Sequence, residues 1–141
     1  MNNKKSGTNF EKMLCEKIAE QKIWARLEYP AEDGSQPFDV KAIYRDNIFI
    51  FECKDCQNGY FDLNRIEENQ KIALKILQEN VVDNKIMFAL NFDGDWQFIE
   101  ANDIFYELEW GEKKKLKKEY LYKYSMNFSE LINWMKRIGN W

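Results

Sequence analysis

The 141-residue sequence contains no histidine, a side chain that serves widely as a catalytic base and metal ligand. Without it, the chain can build neither a Ser-His-Asp or Cys-His nucleophilic site nor an H-E-x-x-H metalloprotease site. Cysteine is scarce as well, with Cys15, Cys53 and Cys56 alone. Cys53 and Cys56 have C-x-x-C spacing, but a structural zinc site needs four ligands and the sequence has no second pair. Catalysis would have to use carboxylates, lysines, hydroxyl groups or metal ions.

Long hydrophobic runs and a basic surplus are also missing. The sequence has no apolar run of about 18 residues, so we expect no membrane span, no export signal and a cytoplasmic protein with reduced thiols. There are 21 Lys and Arg residues against 24 Asp and Glu, which gives a net charge of −3. Nucleic-acid-binding proteins usually carry a basic surplus. Nucleic-acid binding would therefore need a local basic patch, although an acidic metal site would itself lower the net charge.

The stretch from Pro37 to Lys54 predicts two strands joined by a tight turn. A turn centred on Arg45-Asp46 places Asp39 opposite Glu52, although Arg-Asp is not the Asn-Gly pair that marks two-residue hairpins. Opposed residues have Cβ atoms roughly 4.5–5.5 Å apart, and like charges there are destabilising. A divalent cation held between the two carboxylates would offset that repulsion. Lys54 follows Glu52 by two residues and therefore points to the same face of the strand.

Pro37-Phe38-Asp39, twelve intervening residues and Glu52-Cys53-Lys54 together resemble the PD-(D/E)xK nuclease signature. Ser6-Gly7 and Phe10-Glu11 precede these residues at the start of a helix, and Phe61 and then a helix with Gln70 follow them. This order and spacing is similar to that of the Holliday-junction resolvases, both the archaeal type and the RecU-like type of Gram-positive bacteria and their phages. The resemblance extends over roughly residues 6 to 103.

The resemblance implies an α/β fold with a restriction-endonuclease-like core, in which α-helices flank a mixed central β-sheet. It implies a Mg²⁺- or Mn²⁺-dependent endonuclease that cuts four-way DNA junctions as a homodimer and uses no small-molecule cofactor. In such an enzyme Asp39 and Glu52 hold the metal, and Glu11 and the backbone carbonyl of Cys53 complete the site. Lys54 and Gln70 would assist the attacking water or the scissile phosphate.

Glu11 and Gln70 also have ordinary structural explanations. A helix is predicted over Thr8–Gln21, and Thr8-Asn9-Phe10-Glu11 has the capping-box pattern, in which Glu11 would return to the backbone of Thr8. Gln70 lies on the inward stripe of a helix predicted over Leu63–Asn80, where a hydrogen bond to the backbone would also satisfy its amide. We expect Lys54 to be exposed and Cys53 to be buried on the opposite face of its strand.

Five lysines form the one concentrated basic patch of the sequence: Lys113, Lys114, Lys115, Lys117 and Lys118. A run of charge is usually a solvated surface, but in an acidic protein this patch is also where phosphate contacts are expected. Ser35, in the polar loop Pro30–Gln36, is a further DNA contact implied by the resemblance. Taken alone, that loop is an ordinary polar connection.

The length suits one nuclease domain, with a core over about residues 6–105 and a C-terminal helical extension over about 106–141. The final helix, predicted over Phe128–Ile138, has a wide apolar face that suits either covering the sheet or forming a dimer interface. Two other functions stay open. One is a restriction, repair or mobile-element nuclease that acts on ordinary duplex DNA, and the other is a catalytically idle protein-binding domain. The presence of Asp39, Glu52 and Lys54 together favours an enzyme.

Overall fold

The structure is a computed structural model that describes residues 3–28, 38–80 and 85–138, with side chains described from residue 9 onward. Ser35 and Pro37 lie outside the described residues, as does the side chain of Ser6. Within these ranges, no helix combines the length and the apolar character that crossing a membrane requires.

Five of the strands form a mixed central sheet. In chain order the strands are β1 (Trp24–Leu27), β2 (Val40–Tyr44), β3 (Asn47–Asp55), β4 (Tyr60–Asp62), β5 (Ile86–Phe92), β6 (Asp95–Glu100) and β7 (Lys115–Lys117). The central sheet has the order β1-β2-β3-β5-β6, with β3 parallel to β5 and the other neighbouring pairs antiparallel. β4 and β7 pair with each other as a separate two-stranded ribbon.

The helices cover both faces of the sheet. They are α1 (Asn3–Glu20), α2 (Glu68–Asn80), α3 (Ala101–Trp110), α4 (Lys118–Leu121) and α5 (Phe128–Ile138). Alternating side chains of β3 enter two separate hydrophobic clusters: Phe49 and Phe51 pack with α1 and α5, whereas Ile50 packs with α2 and α3. The predicted α/β architecture, a mixed sheet flanked by helices, is confirmed.

The bounds of the first two long helices differ from the prediction. α1 begins at Asn3 instead of Thr8, so Thr8 lies inside the helix and Glu11 lies more than two turns from its start. The capping-box explanation of Glu11 is therefore wrong. The helix predicted from Leu63 is divided into a short 3₁₀ turn at Leu63–Arg65 and α2, which begins at Glu68.

The C-terminal segment packs against the core. α5 has the predicted bounds, and its buried residues join the same cluster as α1. The rings of Trp134 and Phe49 meet edge to face, with centroids 5.4 Å apart. The apolar face of α5 thus covers the sheet, the first of its two expected uses. The segment that was expected to be helical also contributes β7.

Candidate active site

The hairpin of β2 and β3 has the predicted register. Tyr44 pairs with Asn47, which leaves Arg45 and Asp46 as the two loop residues. Their φ angles are 48° and 69°, both in the left-handed region that a type I′ turn requires. The predicted turn centre is therefore confirmed, even though neither residue is glycine or asparagine.

Asp39 lies immediately before the first residue of β2, so it does not form a regular ladder pair with Glu52. Its N–H donates to the carbonyl oxygen of Phe51 at 3.0 Å, and its side-chain Oδ2 accepts the backbone N–H of Cys53 at 2.8 Å. The carboxylate thus takes the place of a backbone acceptor next to β3. This bond turns the side chain toward Glu52, and the two carboxyl groups become neighbours by a different route from the direct opposition that we expected.

Glu52 is a buried carboxyl group with an incomplete set of partners. It is only 2% exposed, and its Oε2 receives no hydrogen bond from the described residues. The side chains of Glu52 and Asp39 are hydrogen-bonded to each other. This bond requires a proton on one of the two carboxyl groups. Burial, and after it the charge of Asp39, raises the pKa of Glu52 well above its usual value. A cation beside these oxygens would remove the cost of holding them close.

Helix α1 brings Glu11 next to the carboxyl group of Asp39 as well. Partial burial, the charge of Asp39 and a hydrogen bond to it raise the pKa of Glu11 from 4.5 to about 8. The ammonium of Lys54 acts in the opposite direction on the same pKa. Glu11, Asp39 and Glu52 therefore form one electrostatically linked group, although they come from three separate segments of the chain.

Lys54 and Gln70 lie beside this cluster of three carboxyl groups. The Nζ of Lys54 is 3.7 Å from Oε1 of Glu52 and 3.4 Å from Oε1 of Gln70. Only 14% of the Lys54 side chain is exposed, so the expectation of an exposed lysine is wrong. Packing in the cleft encloses the aliphatic part of the side chain, while the ammonium lies next to the side-chain oxygens of Glu52 and Gln70. The side-chain oxygen of Gln70, in the first turn of α2, therefore meets a lysine instead of the backbone.

The predicted site residues line one polar cleft of about 810 Å³: Glu11, Asp39, Glu52, Cys53, Lys54 and Gln70. The described side chains do not form a ready cage of three or more metal-binding groups. The carboxylate oxygens nevertheless suit a hard cation such as Mg²⁺, and the unbonded Oε2 of Glu52 is a free acceptor among them.

Cys53 can contribute its main chain but not its thiol. Burial, and after it the charge of Asp39, raises the pKa of the thiol well above its usual value, so the sulfur stays protonated. Its side chain belongs to the cluster under α1, on the opposite face from Glu52, as expected. The backbone of Cys53 is held beside the carboxylates by the bond from its N–H to Asp39.

The sequence analysis missed several residues that line the cleft, among them Asp55 and Arg65. Asp55, the last residue of β3, lines the cleft, and its Oδ1 accepts a bond from Nδ2 of Asn91 at 2.8 Å. Arg65 also lines it and donates from its guanidinium to the backbone carbonyl of Asp55. The sequence did contain a warning about Arg65. The helix predicted from Leu63 would have placed this cation in its first turn, where positive charge is unfavourable.

The five lysines of the basic patch do not share one environment. Lys113, Lys115 and Lys117 line a groove next to the active-site cleft, and Lys115 lines the cleft as well. The Nζ of Lys114 donates to the carbonyl oxygen of Leu108 at 2.7 Å, and the Nζ of Lys118 lies 3.9 Å from Oδ2 of Asp95. Two of the five are thus already held by the protein itself.

Comparison with protein-family models and with curated protein sequences gives no match. Among solved structures, the chain is similar to Hjc from Archaeoglobus fulgidus, which is described as a Holliday junction resolvase from an archaeal hyperthermophile. The TM-score is 0.66 at 20% sequence identity, and the match covers 89% of this chain and 99% of that chain. At this identity the likeness shows the fold. It confirms the restriction-endonuclease-like α/β core and the structural resemblance to an archaeal resolvase that the spacing of the motif predicted.

Proposed function

We propose that this chain is a metal-dependent endonuclease that cuts branched DNA and resolves four-way junctions by hydrolysing one phosphodiester bond in each of two strands. The observation that carries the proposal is the meeting of Asp39, Glu52 and Lys54 in a single polar cleft. The fold shared with an archaeal Holliday junction resolvase supports branched DNA as the substrate. The pattern of carboxylates with an adjacent lysine supports hydrolysis of a phosphate ester.

The acidic residues would hold Mg²⁺ or Mn²⁺. Asp39 and Glu52 supply the principal carboxylates, and Glu11 and the backbone carbonyl of Cys53 complete the set. When bound, the ion supplies concentrated positive charge that offsets charge at the scissile phosphate and favours ionisation of water. Glu52 is suited to this role because one of its buried oxygens has no donor among the described residues.

Lys54 has the role of stabilising negative charge on the phosphate. Its ammonium lies within 4 Å of acceptors on both Glu52 and Gln70, so it is oriented before the substrate arrives. A fixed cation of this kind stabilises a transition state more than a mobile one, because little reorganisation is needed during the reaction. Gln70 contributes as a positioning residue, since its oxygen holds the lysine toward the centre of the cleft.

A homodimer is the expected working form. A four-way junction has near two-fold symmetry and needs two cuts, whereas each chain carries one such cleft among its described residues. Two copies related by a two-fold axis would place equivalent clefts on symmetry-related strands.

The test is a cleavage assay with three DNA substrates: a four-way junction, a linear duplex with the sequence of its arms, and a single strand. With Mg²⁺ or Mn²⁺, we expect two symmetric cuts in the junction and an intact duplex. The Asp39→Asn variant, purified in the same way, controls for contaminating nucleases. Equal cutting of duplex and junction would favour the restriction or repair class instead. If all three substrates stay intact, the chain is not an enzyme of this kind.

A further inference from the structure

A second groove of about 690 Å³ lies beside the active-site cleft. Its walls come from the ribbon of β4 and β7, the end of α3 and the segments that follow α3. Tyr60 and Lys115 line both the groove and the cleft, so the two form a continuous surface. The predicted catalytic residues do not line this groove, and its chemistry differs from that of the cleft.

The outward face of the ribbon gives the groove one aromatic ring and two lysines, and it also carries Asp62 opposite Lys115. Phe61 and Leu116 pair across the ribbon and are buried in the core. Their neighbours must point the other way, since successive side chains of a strand alternate. Tyr60 pairs with Lys117, so an aromatic ring and an ammonium stand side by side on the outward face.

Helix α3 adds two large exposed rings to the groove. Tyr106 is 58% exposed and Trp110 is 70% exposed, and their spacing of four residues places them on one side of the helix. Large aromatic side chains grouped at the surface in this way mark an interaction site.

Tyr120 also lines the groove, and its hydroxyl is hydrogen-bonded to a buried carboxylate. The hydroxyl of Tyr120 donates to the carboxylate of Glu107, with its oxygen 2.9 and 3.0 Å from the two carboxylate oxygens. Glu107 is only 3% exposed, so the ring of Tyr120 has a firm anchor. Next to it, Gly111 leaves no room for a side chain, because a Cβ there would lie 2.5 Å from the carbonyl oxygen of Glu107.

The lysines make the groove locally positive in an acidic protein. Lys113, Lys115 and Lys117 line it, against Glu112 and the tyrosine-bound Glu107. Aromatic faces stack on bases of any sequence, and lysines along a groove contact successive phosphates. This combination is typical of grooves that bind single-stranded DNA.

We propose that this groove binds unpaired nucleotides of the DNA strand that enters the active site, with bases stacked on Trp110, Tyr106 and Tyr60 and phosphates on the lysines. The assignment of DNA rests on the proposed nuclease function. The continuity through Tyr60 and Lys115 means that a strand in the groove leads directly into the cleft. The groove therefore selects DNA that has unpaired bases beside the cutting position.

The experiment measures binding of a fluorescent oligothymidylate by anisotropy in EDTA, so that no cleavage takes place. Trp110→Ala should weaken binding on the order of ten- to a hundredfold, the range typical of a lost base-stacking contact. Trp110→Phe should retain part of the affinity because an aromatic face remains. The control is Trp24→Ala, because Trp24 is 52% exposed on β1 but lines neither the groove nor the cleft. Melting temperatures of all variants verify folding.

Two readouts separate this inference from the nuclease proposal. Cleavage of the four-way junction with Mg²⁺ is measured on the same preparations. If the wild type cuts the junction but Trp110→Ala and Tyr106→Ala bind the oligonucleotide like the wild type, the groove assignment is overturned and the nuclease proposal stands. If binding depends on Trp110 but no DNA is cut, the groove assignment is supported and the nuclease proposal fails.

Discussion

The Nζ of Lys54 lies 3.4 Å from Oε1 of Gln70, a contact that joins the end of the central strand β3 to the first turn of α2. The same ammonium is 3.7 Å from Oε1 of Glu52. Gln70 is therefore placed to orient Lys54. In this arrangement Lys54 would contact the phosphate, whereas Gln70 would act only through Lys54.

Replacing Gln70 by alanine should lower kcat for junction cleavage by about tenfold, near the lower end of what a hydrogen bond to a charged group contributes. The Lys54 ammonium would lose one of its two acceptors and its fixed orientation. KM should change little, because phosphate contacts made elsewhere provide most of the binding. Single-turnover cleavage rates and junction-binding affinities, measured separately, test whether the rate falls while binding is retained.

Gln78→Ala is the matched control for that substitution. Gln78 lies on the same helix, and its Nε2 donates to Oδ1 of Asn102 at 2.6 Å. It does not line the active-site cleft. A loss of activity in Gln78→Ala as large as that in Gln70→Ala would mean that α2 matters only as a scaffold.

Glu52→Gln should abolish cleavage and yet raise the melting temperature of the metal-free protein at alkaline pH. The substitution removes a charge from a buried site beside Asp39, where one oxygen has no described donor. Asp39→Ala should instead destabilise the fold by about 1–3 kcal/mol, because the buried N–H of Cys53 would lose its acceptor. Thermal unfolding in EDTA compares the two variants. If Glu52→Gln melted well below the wild type at alkaline pH, Glu52 would be a structural residue.

The register of the hairpin could be predicted because the position of the turn at Arg45-Asp46 and the alternation of side chains in β3 agree. The alternation of Phe49 and Phe51 with Ile50 assigns each residue to a face, and a slip of one position would move all of them to the wrong side. The position of Asp39 could not be predicted in the same way. Asp39 lies just outside the paired residues of the ladder, and its side chain accepts the N–H of Cys53 where a backbone carbonyl would normally do so. The alternation of residues in the sequence does not reveal a bond of this kind.

The pairing of β4 with β7 had no local signal either. Each strand has three residues, and the partners Tyr60 and Lys117 are far apart in the sequence. Strands this short are fixed by long-range packing, here the burial of Phe61 and Leu116 in one cluster. The ribbon determines which lysines of the basic patch face the cleft, so the division of the patch could be seen only in the structure.

The metal-free protein should become less stable as the pH rises from about 4.5 to about 8. Burial and the charge of Asp39 raise the pKa of Glu11 from 4.5 to about 8. Between these values the folded chain holds a proton that the unfolded chain has released, so the free energy of unfolding falls with increasing pH. Melting temperatures in EDTA across this range measure the effect.

Glu11→Gln should reduce that pH dependence and leave the part that comes from the raised pKa of Glu52, whereas Glu16→Gln, an exposed position on the same helix, should leave it unchanged. Mn²⁺ should raise the melting temperature of the wild type more at alkaline than at acidic pH, because the ion and the proton compete for the same carboxylates. Equal shifts at both pH values would show that these carboxyl groups do not bind the ion.

The lysines of the basic patch should differ in their contribution to DNA binding, although they are close in sequence. Lys115 and Lys117 face the groove, whereas Lys114 donates a hydrogen bond to a backbone carbonyl and Lys118 forms an ion pair with Asp95. The double variant Lys115→Gln/Lys117→Gln should reduce the slope of log K against log salt by about 2, since each lost phosphate contact removes about 0.9. The double variant Lys114→Gln/Lys118→Gln carries the same charge change and should alter the slope by less than about 1. Titrations of a branched DNA at several salt concentrations measure both slopes. Equal reductions would mean that the patch acts through its total charge, whereas unequal ones locate the phosphate contacts in the groove.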